Sequence, residues 1–302
     1  MSNRCEGTRT MSTGLRISRI IAWAVLLACV ISLCWLWTQQ RHAKQLSQSL
    51  KDQYHSSMNA EATAVAEKQS IGEALAKRLS EAFVAEAAEM PAVVDTPLEI
   101  QPTFTELYEQ NNDLIGWLMV CDHIEEPVLY RDNSYYMDRD YNGDYSQAGS
   151  IFLDEKDSVQ MTDDTLLLYG HNMRSGMMFG DLDNFRDKSY LAQYPIIKLH
   201  SVYEETPREY VIFTMFDASM NSGDSSYIKI RQFNFATAEE KQAYIDELTK
   251  RSIFEMPVEA DVGDQLVMLV TCSYSHDNGR FLVVARELRE GETAESVTEL
   301  FQ

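Results

Sequence analysis

Asp264–Leu288 reads DQLVMLVTCSYSHDNGRFLVVAREL: two apolar, β-branched runs separated by a polar, glycine-containing loop. Side chains alternate along a strand, so Met268, Val270 and Cys272 share one face while Leu269 and Thr271 share the other. Cys272 closes the first run, which places its thiol at the rim of a sheet; a packed structural thiol is the alternative. Arg280 stands where the loop enters the second run.

Working upstream, LIGWLMV (114–120), PVLY (127–130), GSIFLD (149–154), TLLLYG (165–170), IIKLHSV (196–202), EYVIFTMF (209–216) and SYIKI (226–230) have the same short, apolar character between turn-forming residues. Eight or nine such strands in about 200 residues predict a mainly β fold with peripheral helices, either a barrel or a sandwich. One helix interrupts the series at 237–251, where Thr237 opens a Thr-x-x-Glu box and Tyr244, Ile245 and Leu248 share a face. At the start of the region TFTE (103–106) predicts a second capping box, with Glu106 reaching back to the Thr103 amide and a short helix through Asn111.

Towards the N-terminus, residues 20–40 carry no charge. Their apolar heart, IIAWAVLLACVISLCWLW (20–37), would span about 27 Å as a helix, close to the hydrocarbon thickness of a bilayer. Trp35 and Trp37 stand at its far end, where indole rings favour the interface, and no A-x-A-like cleavage site follows. Arg4, Arg9, Arg16 and Arg19 against Glu6 alone predict a cytoplasmic segment at 1–19, a transmembrane anchor at 20–40 and export of everything beyond. Residues 41–90 favour helix and read as a stalk, single or hairpin, with apolar positions at Leu46, Leu50, Tyr54 and Met58, then Ile71, Leu75, Leu79 and Phe83. Pro91, Pro97 and Pro102 mark a linker at 91–102, leaving 103–302 as the folded domain.

The net charge is -21, and all the excess acid lies beyond residue 40, which argues against nucleic acid as a partner. Only Cys121 and Cys272 fall in the folded region. Two thiols make no disulfide framework, and no ligand spacing suggests a metal or another cofactor. A thiol is mostly unreactive at neutral pH unless a positioned imidazole moves its proton. His171 ends the run TLLLYG much as Cys272 ends its own, while Arg280 offers a rigid donor fork for an oxyanion or for substrate carbonyls. A turn histidine and a solvated rim arginine are the plainer readings of those two. His123, His200, His42 and His55 read as solvated, His276 as pointing outward along its turn, and Cys121 as packed in its strand.

LLLYGHNMRSGMMFGDL (166–182) resembles the histidine motif of class B sortases, Tyr-Gly-His-Asn/His-Met leading to Met-Phe-Gly. MLVTCSYSHDNGRFLVVAR (268–286) resembles their Thr-Leu-x-Thr-Cys signature with an arginine in the next strand, except that Met268 replaces the first threonine. The likeness continues through LYEQNNDLIGWL (107–118), DNSYYMDRDY (132–141) and QAGSIFLD (147–154), covering roughly residues 103–290. It implies a closed eight-stranded barrel and a cysteine transpeptidase without cofactor. In that enzyme Cys272 attacks the threonine carbonyl of a sorting motif near the C-terminus of a secreted protein, and a cell-wall or pilin amine resolves the acyl-enzyme. His171 is then the general acid and base, and Arg280 stabilises the oxyanion or holds the substrate. Thr271 and the Tyr227–Ile228 pair, by the same resemblance, contact substrate. Two rivals remain: a secreted cysteine peptidase or amidase acting on cell wall, disfavoured because its nucleophile normally precedes its histidine, and a non-catalytic membrane-tethered binding module, for which blocking Cys272 has no consequence.

Overall fold

The structure, a computed structural model, describes residues 13–80, 98–273 and 278–302. Its helices are α1 (Thr13–Ser80), α2 (Thr105–Gln110), α3 (Lys188–Gln193), α4 (Ala238–Lys250) and α5 (Ala294–Thr298). The strands are β1 (Leu114–Val120), β2 (Ile124–Tyr130), β3 (Ile151–Leu153), β4 (Thr165–Tyr169), β5 (Ile196–Ser201), β6 (Arg208–Ser219), β7 (Leu266–Ser273) and β8 (Gly279–Glu287). The chain divides into two compact units, 1–45 and 46–302. In the first, the apolar side chains between Ile20 and Trp37 are exposed, Arg41 lies 3.6 Å over the Trp37 ring, and α1 is long and apolar enough to cross a membrane.

In the second unit the strands close a barrel in the order β1, β2, β3, β4, β7, β8, β6, β5. Six of its eight joints are antiparallel; β2–β3 and β4–β7 are parallel. Parallel pairs are normally covered on both faces, and β4 and β7 follow that rule: Leu166–Leu168 and Leu266–Val270 are all buried. One outer apolar cluster joins Met268, Val270, Leu282 and Val284 to Tyr244, Ile245 and Leu248 of α4. Thr237 caps that helix as expected, accepting from the Glu240 amide, although the Glu240 carboxylate reaches Ala236.

A second cluster lies over Trp117 and Leu129 and contains Leu50 and Tyr54 of α1. The segment read as a stalk therefore supplies core residues. Tyr54 stacks on Trp117 with ring centroids 4.4 Å apart, and its hydroxyl donates to His200 Nδ1 at 2.9 Å. His200 Nε2 donates to the Glu204 carbonyl, which fixes the neutral tautomer, and burial holds its pKa below the ordinary histidine value. The expected solvated His200 is thus fully buried, because its covering helix comes from 146 residues away.

Two further expectations are corrected. Pro102 opens a 3-10 turn, so α2 begins one residue later than the TFTE reading placed it; Thr103 is buried and gives its hydroxyl to Glu61 instead of capping. SYIKI is not a strand: Ile228 and Ile230 pack under α4, while the carbonyls of Ser226 and Tyr227 accept from Arg251 rather than from a neighbouring strand. Of the linker, 91–97 lie outside the described residues, as do Phe83, residues 1–12 of the stretch 1–19 and His276; the side chains of Ile71, Leu75 and Leu79 are likewise undescribed.

Candidate active site

The parallel pairing of β4 with β7 brings two strand C-termini to one rim. Their register matches Tyr169 with Val270, so two more steps along each chain bring His171 level with Cys272. β8 runs the other way and begins at this rim, with Arg280 directly opposite Cys272. Cross-strand neighbours share a face at about 5 Å between Cβ atoms. Cys272 continues the outward face of Met268 and Val270 past the edge of the α4 cluster, where its side chain becomes partly exposed.

Three hydrogen bonds lace the His171 turn to the Cys272 strand beyond the regular ladder. The Gly170 amide donates to Val270 O at 3.3 Å, Thr271 Oγ1 donates to Gly170 O at 2.8 Å, and Asn172 Nδ2 donates to Cys272 O at 3.0 Å. The glycines of this turn are required sterically. A Cβ on Gly170 would lie 2.7 Å from the Phe179 ring, and one on Gly180 would lie 2.1 Å from Met173 O. Phe179 in turn donates its amide to His171 O at 3.0 Å, closing the turn over buried aromatic packing.

The His171 ring meets the Met137 carbonyl through Nε2 at 2.6 Å. A carbonyl only accepts, so Nε2 carries the hydrogen and the lone pair of the neutral ring is on Nδ1. Arg280 donates to Gly279 O at 2.9 Å and forms no ion pair with a carboxylate among the described residues, whereas Arg186, Arg208, Arg231, Arg286 and Arg289 all do.

His171, Cys272, Arg280 and Thr271 line one groove of about 280 Å³. Met137, Phe152 and Val270 supply apolar wall, and the charged side chains among the described lining residues, Arg231 and Arg280, are both basic. At its base Asp154, fully buried, accepts from Arg231 Nη2 at 2.7 Å, Tyr169 OH at 2.9 Å and Asn133 Nδ2 at 3.1 Å. Burial, followed by the neighbouring Asp154 carboxylate, holds the Tyr169 hydroxyl well above the ordinary tyrosine range.

Tyr227 and Ile228 do not line this groove; Ile228 is buried under α4, and the segment contributes Arg231 three residues later. Cys121 lies outside it too, and is partly exposed just past β1 with a positive φ of 53° rather than packed within the strand. Asn133, Met137 and Asn172 fall in stretches quoted for the resemblance but were given no role there, and Arg231 was not singled out, because side-chain amides, carbonyls and surface arginines carry no local signal of convergence.

No family model matches the chain. It is 30% identical over 189 residues to sortase B of Listeria monocytogenes, an alignment that covers 61% of this chain and 74% of that protein. The chain belongs to the sortase B family. Sortase B of Staphylococcus aureus is 26% identical over 194 residues, covering 63% of this chain and 76% of its own. The X-ray structure of Clostridium perfringens sortase B matches with a TM-score of 0.55 at 28% identity, covering 61% of this chain and 99% of that one. The expectations of a closed eight-stranded class B sortase barrel and of a cysteine transpeptidase are borne out. As a sortase, the enzyme acts on substrates bearing a sorting signal and on amine acceptors.

Proposed function

We propose that Cys272 is the nucleophile, His171 the general acid and base and Arg280 the oxyanion donor of a transpeptidation that cleaves a sorting motif after threonine. The observation that carries this reading is the register: one rim holds a thiol, an imidazole and an arginine that has no carboxylate partner among the described residues, at the ends of three adjacent strands. The thiol proton passes to His171, for which Nδ1 is the available nitrogen, as Sγ bonds to the threonine carbonyl carbon. Negative charge gathers on the carbonyl oxygen within reach of the Arg280 fork. Collapse breaks the peptide bond, the leaving amine takes the proton from His171, and a thioester remains. An amine of a cell-wall precursor or pilin then attacks that carbonyl, surrenders its proton to His171 and releases Cys272. Thr271 acts from behind, fastening the two strand ends.

In this reading residues 1–19 are cytoplasmic, 20–40 anchor the chain, 41–90 and 91–102 connect, and 103–302 form the catalytic domain outside the cell. Protease added to intact wall-stripped cells should digest that domain; protection until the membrane is opened would refute export. The chemistry is tested with the full chain in detergent and a library of Pro-x-Thr peptides. Mass spectrometry should find Cys272 acylated by the N-terminal fragment and released by an added amine. Full turnover by Cys272→Ala would remove the covalent mechanism.

A further inference from the structure

Behind the reactive trio runs a chain of polar side chains, and it begins at a backbone carbonyl. Val270 O takes the Gly170 amide, and two residues on, by the period of a strand, Cys272 O faces the same way. β4 has already ended, at Tyr169. The Asn172 side chain stands in for the missing strand and donates Nδ2 to Cys272 O at 3.0 Å. The peptide group that carries the nucleophile is thus held by the chain neighbour of His171.

A side-chain amide can present either end. Its nitrogen carries two hydrogens and its oxygen none, so a half-turn about the last bond would set oxygen against oxygen at Cys272. Asp183, in the 3-10 turn Gly180–Arg186, forbids that half-turn: its Oδ2 takes the second hydrogen of Asn172 at 2.8 Å, and a carboxylate only accepts. Its Oδ1 takes Arg186 Nε at 3.2 Å, and the same guanidinium donates Nη1 and Nη2 to Asp217 at 2.6 and 2.8 Å. Asp217 pairs on β6 with Phe281 of β8, and the guanidinium lies 3.9 Å over that ring, one residue along from Arg280. Asp183 therefore ties the frame of β6 and β8 to the strand end that bears the thiol.

Resting on the sortase reading above, we infer that Asp183 is a positioning residue for the transpeptidation: by keeping Asn172 a double donor it fixes the backbone of Cys272 against that of His171, and with it the reach from thiol to imidazole. Asp183 itself does not line the groove. The test follows acylation of the full chain in detergent by a Pro-x-Thr peptide in single turnover, which gives a maximal rate and a half-saturating peptide concentration, with thermal melting alongside. Asp183→Asn leaves one acceptor where two are needed; the side chain is 44% exposed, so no buried charge is stranded and the fold should persist. Its maximal rate should fall about tenfold or more while the half-saturating concentration stays within about twofold, because alignment is lost and peptide contacts are not. Asp183→Asn combined with Asn172→Asp restores an amide-to-carboxylate bond between the two positions but turns an acceptor on Cys272 O, so it should melt like the parent and remain slow. Recovery of the rate in that double variant would reduce the link to a structural tie and overturn the inference. So would an unfolded Asp183→Asn, a parent-like rate in it, or a defect confined to the half-saturating concentration. A parent that is acylated by no peptide instead overturns the sortase reading on which this rests.

Discussion

Replacing Glu126 with Gln should make the protein more tolerant of alkaline pH. Glu126 sits on β2 beneath α1, 6% exposed, with the Ser47 hydroxyl donating to it at 2.7 Å. Burial, the largest influence, pushes its carboxyl from 4.5 up to about 7; Glu125 adds to the rise, while Ser47 and Lys51 oppose it. A folded pKa above the unfolded one means that stability is fully present below the unfolded value and is lost as pH rises through the folded one. Integrating between pH 5 and pH 8, the parent loses about 2.5 kcal/mol at this residue, and a glutamine of the same shape loses none. At about 2–4 °C per kcal/mol, the melting temperature of Glu126→Gln relative to the parent should be about 5–10 °C more favourable at pH 8 than at pH 5. Asp157, whose carboxyl burial also raises to about 8, is present in both proteins and cancels. The assay is thermal melting of the full chain in detergent. An equal difference at both pH values would refute the claim that burial governs this carboxyl.

Cys272→Ala and His171→Ala should each abolish peptide acylation, because groups acting as a unit do not contribute additively, whereas Cys121→Ala should retain most activity; turnover assays with thiol alkylation separate the three. Arg280→Lys keeps the charge but loses the fork, so kcat/KM should fall about a hundredfold, or about 2.7 kcal/mol; retention within threefold would remove the directed donor role. Thr271→Val deletes the hydroxyl that satisfies Gly170 O and should cost about 1–3 kcal/mol in chemical denaturation, with a fall in kcat as the His171 turn loosens from β7.

Much of this protein was legible locally. β1 has the bounds of the run LIGWLMV, and α4 starts where Thr237 caps it, because strand alternation and helix capping are written over a few consecutive residues. The strand-end positions of His171 and Cys272 were readable from the two motifs, and the glycines at 170 and 180 have steric causes within one turn. Only the tertiary structure decided the rest. Ile228 and Ile230 had strand character, yet they bury their side chains under α4 while Arg251 takes carbonyls of that segment. The buried state of His200, the loss of Thr103 as a cap and the docking of Leu50 and Tyr54 on the barrel all depend on α1. The base of the groove joins Asp154 to a guanidinium 77 residues away. Periodicity reports the face a residue shows its own element, whereas the partner of a polar group is settled by which distant segment reaches it first, and that depends on barrel closure.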